Sequence, residues 1–330
     1  MACSVVIVAV VSISLGKADI DIVTLLKIVV GKFFSQESLL QNISQARIAI
    51  IWDIRLPRIL TAIFVGSGLA VSGTVFQALL MNPLADPYTI GVSTGAAFGA
   101  VAAIYYNLFI SAFVLPITPF AFAGALFTLL LVIKIATRNG YLSSVNLIIA
   151  GIIVSSILSA GISFLKSASG EQVSAIIYWL LGNLAAKTWR QVGLAAPIIG
   201  VGTLVCTYFA GDLNILSLGE KESRSLGVDT LKMRRIYLVI ASLITAVCVS
   251  VSGIIGFIGL IVPHILRFAL TSDNRALIPL SAFLGGMLLL LADNVSRVAF
   301  NVEVPVGVIT TLFGGPFFIY IFISRNKTIQ

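Results

Sequence analysis

The sequence predicts an all-α polytopic membrane protein of about ten transmembrane helices, and three observations carry that prediction. Apolar residues fill 58% of the 330 positions and charged residues 10%, whereas soluble domains run near a quarter charged. The apolar residues fall in runs near twenty long rather than in alternating tens, the helical pattern and not the barrel one. Backbone polar groups need internal partners in hydrocarbon, and a helix supplies them within one segment. The net charge of +8 arises from 21 Lys+Arg against 13 Asp+Glu. These basic residues sit between the apolar runs with no aromatic–basic platform, so nucleic acid is not the expected partner.

Ten segments follow in order, at roughly 1–15, 59–80, 89–106, 112–133, 145–165, 191–210, 236–253, 254–270, 277–292 and 305–324. All belong to one transmembrane domain covering 1–330. The first is short: fifteen residues rise only about 22 Å as helix, against a core of roughly 30 Å. A first span with a missing or very short cytoplasmic start is favoured over a signal peptide, because no basic n-region precedes it. The second opens on Arg55-Leu56-Pro57-Arg58 and closes on Asn82-Pro83-Leu84-Ala85-Asp86-Pro87, a turn stiffened by two prolines. The seventh and eighth are divided only by glycines near Gly253 and Gly256, which demands a tight re-entry. The half-apolar stretch 173–184 is too short to cross and is placed at a membrane surface.

Both termini are placed inside. The inner loops then hold Lys134, Arg138, Lys221, Arg224, Lys232, Arg234, Arg235, Arg267, Arg275, Arg325 and Lys327. The total barely discriminates, but the dense 221–235 cluster and the basic C-terminus favour this orientation. The outer excess lies mostly in the long 16–58 loop; it includes Arg55 and Arg58, which need a separate reason. Two stripes of small residues, Gly91/Gly95/Gly99 and Gly66/Ala70/Thr74, suit close helix packing.

No phosphate loop of the G-x-x-x-x-G-K-[ST] type occurs. His264 is a lone histidine beside Pro263 and reads as structural, not as a metal ligand. Cys3, Cys206 and Cys248 lie in apolar runs without metal-like spacing. No catalytic constellation can be assembled, so no enzyme activity, metal or cofactor is expected. Asp86, Asp212, Asp273 and Asp293 fall at span ends, whereas ion-coupled carriers place carboxylates at mid-membrane. Energy for transport must then come from another subunit. In the loop 213–235, Ser217 with Glu220 fits a capping box and Gly227 a helix end. A docking helix and an ordinary solvated loop remain level as readings.

Taken as an ordered set, several motifs resemble the FecCD family, the permease subunits of type II ABC importers. They are Arg55-Leu56-Pro57-Arg58, Gly73-x-x-x-Gln77, Asn82–Pro87, Gly91-Val92-Ser93-x-Gly95, Leu218-Gly219-Glu220, Leu226-Gly227 and Gly253-x-Ile255-Gly256-Phe257-Ile258-Gly259-Leu260. Pro263-His264-x-x-Arg267, Leu291-Ala292-Asp293 and Pro305-x-Gly307-x-x-Thr310 complete the series. The register holds from about 50 to 325.

The resemblance implies the type II ABC importer permease fold, a homodimer with a central pathway, two ATP-binding subunits below and an extracytoplasmic binding protein above. It implies that Arg55, Arg58 and Arg297 face glutamates of the binding protein, a task suited to the planar guanidinium fork. It places a cytoplasmic gate at Asn82 and Leu84, with a second at Ser143 and Ser144. It assigns ATPase coupling to helices within 213–230, at Leu218, Gly219, Glu220, Ser223, Arg224, Leu226 and Gly227. Ser223 departs from the alanine often found there. The expected function is import of a metal chelate across a bacterial or archaeal cytoplasmic membrane. Iron(III)-siderophore leads, with haem, cobalamin and molybdate or tungstate open. An ion-coupled secondary transporter and an uncoupled channel are the rival classes.

Overall fold

The structure, a computed structural model, describes residues 2–14, 21–110, 113–138, 141–300 and 302–326. Among these, fourteen helices run in order: α1 Ala2–Ser14, α2 Ile22–Phe33, α3 Gln45–Leu79, α4 Val92–Phe109, α5 Ile117–Ala136, α6 Ser144–Ala168, α7 Ser174–Leu180, α8 Trp189–Tyr208, α9 Ala210–Leu216, α10 Glu220–Ser225, α11 Thr230–Ser252, α12 Ile258–Ala269, α13 Asn274–Val298 and α14 Val306–Asn326. Each predicted apolar run forms one of them. Seven are long and apolar enough to cross a membrane by length and composition: α3, α4, α5, α6, α8, α11 and α13. Helices α1 and α12 are shorter, and a two-residue antiparallel ladder joins Thr137–Arg138 to Tyr141–Leu142.

The expectation of a loop over 16–58 is corrected where those residues are described. The stretch holds α2 and the first part of α3. Asp21 caps α2 by accepting from the Thr24 amide at 3.2 Å, and Leu25 and Ile28 bury one face of it. Helix α3 runs on through Pro57 because of a π-helical turn at Ile50–Arg55. Proline lacks an amide and its ring crowds the preceding turn's carbonyl. The wider turn relieves that clash, with the Leu56 amide reaching back to the Ile51 carbonyl.

Helix α3 is the hub, packed by α8, α11, α12 and α13. Its small residues make this possible. A Cβ on Gly66 would lie 2.3 Å from the Gly285 carbonyl oxygen of α13, and one on Gly73 would lie 1.9 Å from that of Gly259 on α12. Thr74 adds a hydroxyl bond to Ser281 at 2.9 Å. The second stripe works alike: Gly95 meets Gly124 and Thr128 of α5, and Gly99 meets Phe120. Backbone-to-backbone approach maximises dispersion where lipid gives no hydrophobic drive.

The division of 236–270 falls where the glycines predict it, but α12 spans only twelve residues, about 18 Å as helix. Residues 253–257 between α11 and α12 are non-helical, with Gly253 and Phe257 at positive φ. Such backbone survives at membrane depth only when protein covers it or it lines a cavity. Here the Asn183 amide donates to the Ser252 carbonyl at 2.7 Å, and the Tyr88 hydroxyl donates to the Ile255 carbonyl at 2.6 Å. Gly182 and Gly307 press against Ile254 from two further sides. Helix α7 forms within the predicted 173–184 stretch, and Ile176 is buried against Val101 and Ile104 of α4.

Replacing Gly66 by Leu is expected to destabilise the fold by at least about 2 kcal/mol, since backbone and not a side chain must move. The thermal unfolding midpoint in detergent checks this, and Gly193→Leu, at a site open to space, is the control expected to leave it unchanged.

Candidate functional site

Two ends of the helix bundle carry the predicted site residues. At the first, Arg58 of α3 reaches Asp293 of α13. Its Nε lies 3.1 Å from both carboxylate oxygens and its Nη2 3.0 Å from Oδ1. The same guanidinium turns Nη1 to Glu303 at 3.2 Å. Arg297, one turn beyond Asp293, approaches its Oδ2 at 3.3 Å and donates to the Ser12 carbonyl of α1 at 3.3 Å. Arg55 donates to the Ile13 carbonyl, and Asn294 to the Ser12 hydroxyl. Asp293 is wholly buried. Burying a carboxylate is costly unless cations pair with it, and two arginines do so here. The three arginines predicted to face a partner thus gather at one end, largely buried and bonded within the chain. In the sequence Asp293 stands out only as part of a motif. Its spacing to Arg297 on one helix face is the available signal. Glu303 and Tyr88 carry none.

At the opposite end, the proline-rich turn is held by its own side chains. Asn82 Oδ1 accepts from the Leu84 amide at 2.9 Å. Asp86 Oδ1 accepts from the Tyr88 and Thr89 amides at 3.0 Å each and from the Thr89 hydroxyl at 2.9 Å. Burial pushes the Asp86 carboxyl above its ordinary range, and these three donors oppose that shift. Ser143 caps α6 by accepting from the Asn146 amide at 3.1 Å, and Ser144 donates to the Leu79 carbonyl at 3.3 Å. The structure therefore brings 143–144 against the end of α3, immediately before Asn82 and Leu84, and Leu84 stands exposed. A cavity of about 530 Å³ lies between this turn, the end of α7, the 253–257 break and the start of α14. It is lined by Asp86, Tyr88, Leu181, Phe257, Gly307 and Thr311 among others, and Asp86 is the charged residue of that lining.

Helices α9 and α10 sit at the turn end. The expected capping box is not formed: Ser217 lies past the end of α9 and donates to the Leu213 carbonyl at 2.8 Å, while Gly219, at φ 114°, begins α10. No ordinary side chain tolerates that φ, so the chain turns there without a serine cap. Gly227 does end α10. Its amide meets the Arg224 carbonyl at 3.0 Å and the Val228 amide meets that of Ser223 at 3.1 Å, the double bond of a Schellman close. Ser223 is fully buried, and its hydroxyl bonds the carbonyls of Ile215 and Gly219. It ties α9 to α10 and takes no part in their surface. Leu218 and Leu226 are 61% and 60% exposed, and Glu220 pairs with Arg224 at 2.6 Å. Asn214 of α9 caps α13 by accepting from the Asn274 amide at 2.9 Å.

His264 stacks edge-to-face with Phe318. No cluster of metal-ligating side chains occurs among the described residues. Buried Cys206 and Cys248 are free.

Many apolar helices around a small-residue hub, a rigid turn and a projecting helix pair define a polytopic membrane protein. Comparison with known proteins makes the class specific. The profile of the FecCD transport family matches residues 4–324. The cobalamin import permease of Halobacterium salinarum is 45% identical over 277 residues, covering 84% of this chain and 74% of that protein. The molybdate import permease of Haemophilus influenzae is 33% identical over 316 residues, covering 95% and 91%. A solved structure described as an inward-facing conformation of a metal-chelate type ABC transporter superposes with a TM-score of 0.84 at 30% identity, covering 98% and 97%. The chain belongs to the FecCD transport family and is an integral membrane permease of the ABC importer class.

Substitutions at three carboxylates test their roles. Asp293→Ala is expected to cost about 3 kcal/mol by leaving buried arginines unpaired, whereas Glu303→Ala, at the half-exposed pair, costs under about 1 kcal/mol. Unfolding midpoints in nanodiscs compare them. Asp86→Asn keeps an acceptor for the turn amides and is expected to leave the midpoint unchanged, while Asp86→Ala lowers stability by about 2 kcal/mol.

Proposed function

We propose that this chain, as a homodimer, is the conduit of an ATP-driven importer for a bulky metal chelate. ATP-binding subunits engage the 213–230 element and an extracytoplasmic binding protein sits on the arginine end. The carrying observation is the α9–α10 pair. It is a tied, capped unit that presents Leu218 and Leu226 to solvent, an apolar pair suited to a partner's groove. Both termini then lie in the cytoplasm, and the residues 82–84 and 143–144 form the cytoplasmic gate. The close approach of Ser144 to the end of α3 supports one gate built from both segments.

Arg55, Arg58 and Arg297 give the opposite end a positive field that draws an acidic partner. Their forks are already held within the chain, so at docking the half-exposed Glu303 is the internal partner that a carboxylate from outside would displace. A cobalamin permease that shares 45% identity with this chain supports reading cobalamin ahead of iron–siderophore as cargo. The energy source is external: Asp293, the carboxylate buried within the spans, is tied up in ion pairs with Arg58 and Arg297 and not set in an ion relay.

Vesicles containing the chain, its ATP-binding subunits and its binding protein are expected to accumulate labelled cobalamin only when ATP is supplied. Uptake driven by a proton or sodium gradient without ATP would overturn the reading. Leu218→Asp with Leu226→Asp is expected to cut ATP-dependent uptake at least about tenfold while the dimer still forms; unchanged uptake would remove the coupling role.

A further inference from the structure

A second cavity lies at the arginine end, apart from the Arg58–Asp293 cluster. It has a volume of about 380 Å³ and is walled by the end of α4, the start of α5, α7 and the 181–188 loop. Its polar lining is Asn107, Tyr178, Asn183, Lys187 and Ser252, with Trp179 beside them. Most of these groups are already satisfied. Asn107 holds Leu115 through both its amide and carbonyl at 2.9 and 2.7 Å. Asn183 Oδ1 accepts from the Ala185 amide at 2.6 Å, and the Ser252 hydroxyl donates to the Cys248 carbonyl at 2.8 Å. Lys187 differs. It is partly buried, and among the described residues it has neither a hydrogen bond nor an ion pair.

An ammonium removed from water without a counter-charge is costly. Its neighbour makes matters worse, because the Arg58 guanidinium repels it, and burial with that repulsion lowers the Lys187 amine to about 8. Lys187 lines the recess beside Tyr178 and Trp179, with Ile104, Leu108 and Ile117 as its apolar lining, which suits a short acid whose methylenes pack while its oxygens meet the amine. Asn183 and Lys187 lie in the 181–188 loop between α7 and α8, and not on the flank of a span. That is the surface open to a protein partner and not to lipid tails.

We infer that this recess is a carboxylate-accepting subsite, with Lys187 as its cation, and that its occupant is an acidic side chain of the extracytoplasmic binding protein. The inference rests on the function proposed above and adds to it a contact that the pre-paired arginines do not make. The aromatic rings of Tyr178 and Trp179 give the contact an orienting wall. Charge and recess together match a glutamate better than a neutral residue.

The test uses the assembled importer in nanodiscs and its purified binding protein, with docking measured at low ionic strength. Lys187→Gln is expected to weaken docking about tenfold and to lessen its salt dependence, while Lys187→Arg retains affinity. The pH profile adds a readout that a structural role would not move. The charged amine is the binding form, so docking to the unsubstituted importer weakens as pH rises through about 8. The Lys187→Arg importer keeps its affinity there, because guanidinium stays charged. Arg58 and Tyr178 are the other charged or titratable groups facing the amine, and both are present in every variant. Affinity of Lys187→Gln within twofold of the parent would overturn the subsite. Retained docking with loss of uptake would assign the cation to cargo and overturn the partner assignment. Retained docking with loss of a bound anionic phospholipid would overturn it in favour of a headgroup. Failure of the unsubstituted importer to dock any binding protein would instead sink the function on which the subsite rests.

Discussion

Helices α3 and α13 touch backbone to backbone, and the rest of the molecule is arranged around that contact. Gly66 and Gly285 face each other so closely that neither position has room for a methyl group. In hydrocarbon this closeness is itself the source of attraction, since lipid tails compete on equal terms for any larger side chain. The same two helices are pinned at one end by Arg58 and Asp293. They are pinned near the other by Thr74 and Ser281. Dispersion sets their distance and polar bonds set their register. Once that pair is fixed, α8, α11 and α12 have a defined surface on which to pack.

The permitted irregularities lie where this frame can cover them. The 253–257 break leaves backbone groups outside any helix, and partners from 88, 183 and the neighbourhood of 307 close around it. Phe257 is held left-handed there, a conformation a bulky residue adopts only when its surroundings over-determine it. The cavity beside it is consequently shaped by a short helix and a turn, not by continuous spans. Asp86 apart, its lining is neutral.

Much of this fold is legible from residue order. Long apolar runs give helices without further information, because hydrocarbon leaves the backbone no alternative. Asn82, Asp86 and their prolines mark a shaped turn, and Gly227 marks a helix end. Other features are hidden from a one-dimensional reading. The apolar residues of α2 are interrupted by Lys27 and Lys32, so a window tuned to spans passes over it. Ser217 meets the capping pattern, but a left-handed Gly219 takes the boundary instead. Above all, spacing along a chain does not say which charges meet across it. Arg58 and Asp293 are separated by 235 positions, and only the packing of α3 on α13 makes them partners. The hydroxyl of Ser223 looks like a departure on a docking surface for the same reason: position along the chain cannot say that it points inward.

That inward hydroxyl has a mechanical meaning. The carbonyls of Ile215 and Gly219 share its single proton, and that shared bond ties the joint between two short helices. The pair behaves as a single crank. Its far arm, α9, rests on α13 and α3 and caps the former through Asn214. In the function proposed above, a push from an ATP-binding subunit on Leu218 or Leu226 would reach α13 and α3 through that tied joint.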